Sequence, residues 1–271
     1  MDTSHSLHPG AGAVADAVAA PAKRRREVSL EVGWARHAED VRDAQRLRWR
    51  VFAEEMGARL VPSPGTPEGI DVDRFDAHCE HLIVRTREAD GSPGPVVGTY
   101  RVLTPADARL AGGLYSEGEF DLEPVADLRD RMLELGRSCT DPAWRSGGVI
   151  MLLWASLGDF MQRNGLRFTI GCASVPMHDG GHAAASLWRE LRATHLAPPE
   201  WQVRPLLPLP VQQLDDAQLA QTPPLIKGYL RCGAKVLGPP AWDPDFGTAD
   251  LPMLMDLEAL PDAYRRHFIG A

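Results

Sequence analysis

The run from Met132 to Ser174 constrains the fold more than any other part of this chain. "MLELGRSC" reads as one short strand and "RFTIGCAS" as another. Between them lies "GVIMLLWASLGDFMQRNG", whose Ile150, Leu153, Trp154, Leu157, Phe160 and Met161 recur at the helical period until Gly165 closes the segment. Strand, loop, helix and strand make a βαβ unit, which places its two strands parallel in one sheet.

The segment before it predicts a different pairing. "HLIVRTR" and "PVVGTYRVLT" are β-branched runs around "EADGSPG", a hairpin with a flexible turn. An antiparallel hairpin beside a βαβ unit predicts an α/β fold, a mixed central sheet with flanking helices whose strands end near one cleft. Upstream, "EDVRDAQRLRWRVFAEEMG" sets Val41, Ala44, Leu47 and Val51 at helical spacing and stops at Gly57. Arg48 and Phe52, four apart, share one face of that helix. "RLVPSPGTPEGIDVDRFDAHCEH" then reads as a long loop, rich in proline and turn formers and carrying Asp71, Asp73 and Asp76. Downstream come a helix near "HAAASLWRELRATHL", an extended Pro-rich connection, and a short helix followed by a strand in "PPLIKGYLRCGAKVLG".

Charge and cysteine usage exclude several classes. A formal charge of -8 argues against a nucleic-acid partner held by broad phosphate neutralisation. The four cysteines are scattered with no C-x-x-C pair, which suits reduced cytosolic thiols and gives neither a zinc knuckle nor a disulfide framework. No apolar run reaches the roughly 18–20 residues that span a bilayer. Residues 1–26 read as a disordered tail. Its Lys23-Arg24-Arg25-Arg26 cluster suits peripheral contact with anionic membrane at the inner face, or simple solubilisation.

Chemistry concentrates in three places. In "RSGG", Gly147 and Gly148 let backbone N–H groups approach an anion at a helix N-terminus while Arg145 adds positive charge, which is the pattern of a phosphate cradle or of an ordinary cap. Asp71, Asp73 and Asp76 are either the lining of a pocket for a cationic substrate or solvated turn caps. His78, Cys79 and His81 are of metal-ligand type, but no second cluster completes a site, so no metal is expected.

Taken in order, "LRWRVFAEE", "DVDRFD", "GTYRVL", "ELGRS" and "RSGG" resemble the acyl-homoserine-lactone synthases, a branch of the GNAT-type acyltransferases. That branch carries Arg and Phe on its first helix, E-x-D-x-x-D in its loop, an Arg after the hairpin and E-x-x-R on the next strand. The matching positions are Arg48 and Phe52; Asp71, Asp73 and Asp76; Arg101; and Glu134 with Arg137. Two features depart from it: Asp71 stands where those synthases have Glu, and their aromatic between helix and loop has no clear counterpart.

"ELGRSCTDPAWRSGGVIMLLW", "PPLIKGYLRCGAKV" and "PAWDPDFGTADLPMLMDL" look more like the related ornithine lipid-forming N-acyltransferases, to about residue 257. That resemblance implies a single GNAT-like acyltransferase domain over 27–271 with a C-terminal elaboration. It implies transfer of a 3-hydroxyacyl chain from acyl carrier protein to the α-amino group of ornithine, giving lyso-ornithine lipid. The donor arrives on the carrier's phosphopantetheine, so no separate cofactor is expected. Glu134, Arg137 and Arg101 fall at the catalytic positions, Arg48, Phe52, Asp71, Asp73 and Asp76 at the substrate, and Arg145, Gly147 and Gly148 at the phosphopantetheine.

An α-ammonium must lose a proton before its nitrogen attacks a thioester, and a buried carboxylate of raised pKa can accept it. Glu134 is the candidate base; its alternative is an ion pair with Arg137 or Arg101 that orders the strand. Glu134 and Arg137 are three apart and would point to opposite faces of a regular strand, so a bulge at Gly136 is expected. Other readings stay open at this stage: a lactone-type synthase using S-adenosylmethionine, acylation of another amino acid such as glutamine, and a catalytically dead acyl-binding or membrane-associated protein.

Overall fold

The computed structural model describes residues 29–62, 64–217 and 221–268. The basic tail read from residues 1–26 lies outside the described residues. The strands are β1 (Ser29–Trp34), β2 (Glu80–Arg87), β3 (Pro93–Leu103), β4 (Phe120–Asp121), β5 (Met132–Thr140), β6 (Phe168–Pro176), β7 (Arg204–Pro205), β8 (Lys235–Val236), β9 (Ala241–Asp243) and β10 (Thr248–Asp256). The helices are α1 (Ala38–Trp49), α2 (Pro105–Ala111), α3 (Gly148–Arg163), α4 (His182–Thr194), α5 (Pro224–Arg231) and α6 (Asp262–Phe268). Among the described residues, eight strands join in one mixed sheet in the order β1-β2-β3-β5-β6-β10-β8, with β9 also on β10. Among the neighbouring strands of this sheet, only β5 and β6 run parallel; β4 and β7 form a separate ribbon.

The sheet forms because its middle strands are buried on both faces. Ala44, Leu47 and Val51 of the first helical segment pack on Ile83 and Val96, while Val149, Leu153, Leu157 and Met161 of α3 pack on Leu82, Val84, Val97 and Val102. Each fully buried side chain of this kind contributes about 1.5–3 kcal/mol. Gly98 lets α3 come close, since a Cβ there would stand 2.2 Å from Val149 Cγ1. Further along the same face, α4 lays Ala184, Leu187, Trp188 and Leu191 against Ala173, Val175, Leu251 and Met253 of β6 and β10.

Two irregularities open the molecule. Past Trp49 the chain loosens from α1 into wider i→i+5 turns over Arg50–Glu55, a winding that is common beside functional sites. In β5, the register with β3 jumps from Thr99 opposite Cys139 to Arg101 opposite Gly136, so Arg137 and Ser138 together face Tyr100. The expected bulge is therefore present, one residue later than Gly136. Arg137 itself takes the left-handed backbone at φ 49, which costs a non-glycine residue about 1–2 kcal/mol.

The bulge has a consequence on the other edge of β5. Strands β5 and β6 pair only at Met132–Phe168, Leu133–Thr169 and Glu134–Ile170. Beyond Glu134, β5 follows β3 and β6 follows β10, and the sheet splits.

Candidate active site

Glu134 is the last paired residue before the split and is 4% exposed. Its carboxylate accepts the N–H groups of Tyr115 at 2.6 Å and Ser116 at 2.7 Å, and the Ser116 hydroxyl at 2.6 Å. These donors come from the N-terminal end of a 3-10 turn, Tyr115–Gly118, where backbone N–H groups lack helical partners. Burial pushes the Glu134 carboxyl above its ordinary range; the Ser116 and Tyr115 hydrogen bonds and the charge of Arg101 restrain it without cancelling the rise. Among the described residues Glu134 forms no ion pair, so neither Arg101 nor Arg137 holds it as a structural partner.

The arginines are occupied by the loop. Arg48, fully buried, donates from Nε to Asp71 at 2.7 Å and from Nη1 to Asp76 at 2.8 Å, and its Nη2 reaches the Asp71 carbonyl at 2.6 Å. Arg101 Nη1 lies 2.6 Å from Asp73 and 3.1 Å from Asp76. Arg137 Nη2 lies 3.1 Å from Asp73, and its Nε 3.2 Å from Asp71. Three guanidiniums thus meet three carboxylates in a charge-balanced block. The expectation of loop carboxylates lining a pocket for a cation is corrected accordingly: Asp71 and Asp76 are shut in against arginines, and Asp73 bridges two of them. Burial raises Asp76, but the charges and hydrogen bonds of Arg48 and the charge of Arg101 outweigh it and hold the carboxyl well below the usual range. Phe52 packs edge-on to Phe246, ring centroids 5.8 Å apart, and Arg137 lies over the same Phe246 ring at 4.6 Å.

On the opposite flank, Gly147 takes φ 100 as the N-cap of α3 and Gly148 opens the helix. Arg145 is clamped by both oxygens of Glu55, at 2.5 and 2.7 Å, and by the Thr140 carbonyl. A phosphate arriving there would share Arg145 with Glu55.

All these flanks border one cleft of ≈ 760 Å³ that follows the split between β5 and β6. Glu134, Arg137, Arg101, Phe52, Arg145 and Gly147 line it, and so do Tyr115, Ser116 and Cys172, which the sequence did not single out. The Cys172 thiol donates to the Ser116 hydroxyl at 3.5 Å. Tyr115 and Ser116 hold Glu134 chiefly through backbone N–H groups, which any residue type supplies; no pattern of side chains could have announced them.

A sheet that splits around a cleft, with a buried carboxylate at the fork and a crossover helix opening beside it, defines an acyltransferase of the GNAT class. Residues 47–155 match the acetyltransferase (GNAT) domain family. L-ornithine N(alpha)-acyltransferase of Brucella abortus (strain 2308) is 36% identical over 256 residues, covering 89% of each chain. The protein of that name from Rhizobium meliloti (strain 1021) is 34% identical, covering 99% of this chain and 92% of the relative. The chain belongs to the L-ornithine N(alpha)-acyltransferase family and is an acyltransferase. Among solved structures, the AHL synthase LasI aligns at TM-score 0.49 and 12% identity, covering 90% of this chain and 95% of that one.

Proposed function

We propose that this enzyme moves a 3-hydroxyacyl chain from acyl carrier protein to the α-amino group of ornithine, forming lyso-ornithine lipid. The observation that carries the reading is Glu134: a buried carboxyl of raised pKa at the fork of the sheet, in a cleft large enough for a thioester and an amino acid. In this reading, the Glu134 carboxylate takes a proton from the α-ammonium. The freed nitrogen attacks the thioester carbonyl and the carbon–sulfur bond breaks; of the two protons the nitrogen gives up on the way from ammonium to amide, one returns through Glu134 to make the leaving thiolate a thiol and the other passes to solvent. Amine and thioester become amide and thiol, with nothing else consumed.

The donor's arm fits the slot beyond Glu134, where β5 has no strand partner on the β6 side. Ile150, Met151, Trp154, Leu225 and Ile226 offer an apolar wall for the acyl chain. Arg145 and the N-terminus of α3 face the donor's phosphate or the acidic carrier. No described helix is long and apolar enough to cross a membrane.

The direct assay incubates the enzyme with ornithine and 3-hydroxyacyl carrier protein and detects the amide by mass spectrometry. Absence of amide on ornithine, lysine and glutamine alike defeats the proposal. Lactone release with S-adenosylmethionine would reassign the enzyme to signal synthesis.

A further inference from the structure

Along one wall of the cleft lies a second group of acids with the opposite electrostatics to the loop. Asp250 sits near the start of β10, 4% exposed, opposite Ser174 on β6 and Ala241 on β9. Its carboxylate accepts the Thr248 hydroxyl at 2.9 Å. Glu119 caps the C-terminal end of the Tyr115–Gly118 turn, the turn whose other end cradles Glu134. The acid oxygens of Glu119 and Asp250 and the Cys172 sulfur all lie within 4.8 Å of one another. Asp250, Cys172 and a third acid, Asp243, line the cleft, with Glu119 directly behind them.

Among the described residues no guanidinium or ammonium compensates this group. Among the described residues neither Glu119, Asp243 nor Asp250 is in an ion pair. Both carboxylate oxygens of Glu119 are sealed from solvent, and neither accepts a hydrogen bond from outside the cluster. A buried carboxylate without a donor is costly unless a partner arrives or it takes up a proton. Burial, followed by the charges of Asp250 and Asp243, pushes Glu119 up to about 9; burial also raises Asp250. Burial and the mutual repulsion of these acids leave the pair short of positive charge.

We infer that Glu119 and Asp250 form the subsite for the side-chain ammonium of a basic amino-acid acceptor, a role that rests on the N-acyltransferase reading above. The geometry links the two ends of such an acceptor. Ser116 hydrogen-bonds Glu134 at 2.6 Å and meets Cys172 at 3.5 Å, and Cys172 touches the acid pair. An α-amine at Glu134 and an ammonium a short methylene chain away at Glu119 and Asp250 would thus lie along one wall. The ammonium brings the positive charge that the pair lacks and adds N–H donors beside the Thr248 hydroxyl already at Asp250.

The test compares wild-type, Glu119→Gln and Asp250→Asn enzymes with 3-hydroxyacyl carrier protein as donor. The acceptors are ornithine and norvaline, which has the same carbon chain but no side-chain ammonium. The expected result is a fall of at least about tenfold in kcat/KM for ornithine in each variant, mostly through KM, with norvaline unaffected or improved. An unchanged ornithine-to-norvaline ratio, or an equal loss on both acceptors, overturns the inference while leaving the acyltransferase reading intact. If wild type acylates neither acceptor, that reading itself has failed. Wild-type melting gives a measurement free of variants: ornithine should raise the melting temperature and norvaline should not. Stabilisation by zinc or magnesium in place of ornithine would make the cluster a metal site and overturn the inference.

Discussion

At Glu134, burial and hydrogen bonding pull the carboxyl in opposite directions. Burial wins, so the group charges later than an ordinary carboxyl, yet three donors keep its anion tolerable. A side chain in that balance suits proton transfer near neutral pH. Replacing Glu134 with Gln should lower kcat on the order of 10²–10⁴-fold with little change in shape. Wild-type kcat/KM should rise with pH through an apparent pKa above the ordinary carboxyl value, 4.5, and that limb should vanish in the variant. A variant profile that keeps the limb and the rate would leave Glu134 a structural residue. For stability the sign is opposite: a raised carboxyl contributes below its unfolded pKa, and that contribution is lost as pH climbs through the folded value.

Among the elements, the fork between β5 and β6 decides what the enzyme can hold. Gly171 lies just past the last paired residue of β6, and a Cβ there would stand 2.4 Å from the Leu135 carbonyl oxygen. Since the obstacle is backbone, relief would have to come from moving a strand. Gly171→Ala should destabilise the protein by about 1–3 kcal/mol, read from urea unfolding, and raise the donor's KM by widening or twisting the slot. Unaltered stability and donor KM would mean that the fork is pliable. The helical period announced α1, α3 and α4, and alternating or β-branched runs announced β2 and β3. Strand β10 stayed hidden because Pro252 interrupts "TADLPMLMD", and proline ordinarily argues against an interior strand. It is tolerated because the neighbouring β8 is only two residues long and pairs with Met253 and Leu254, so no full ladder demands the missing N–H.

For the molecule as a whole, the arginine–aspartate block ties α1, the long loop, β3 and β5 into one body. Replacing Arg48 with Met leaves Asp71 and Asp76 buried with one guanidinium fewer, and removing one partner of a buried pair costs about 3–5 kcal/mol. Urea denaturation should show that loss with little dependence on salt, because solvent does not reach Arg48. A loss under about 1 kcal/mol would mean the loop is held by other contacts. Asp76, held below its ordinary pKa, contributes stability above the unfolded value, 3.8, that is lost as pH falls through the folded one. Acid unfolding of the wild type should therefore begin below about pH 4.

By itself, the sequence determined the helices, the hairpin and the βαβ unit, because those follow from spacings within one segment, while Glu134 stood out through the resemblance to a known family. It also brought the Arg48, Asp71, Asp73, Asp76, Arg101 and Arg137 constellation into view. Only the tertiary structure decided which charges meet. Arg48 and Asp71 are separated by 23 positions, and Arg137 and Asp73 by 64, so no local pattern says whether a carboxylate faces a guanidinium or an open cleft. The loop acids found cationic partners on packing, whereas among the described residues Glu119 and Asp250, unremarkable along the chain, came together without one. Compensation of buried charge is a property of three-dimensional neighbours, and that is why the most informative acids were the least legible.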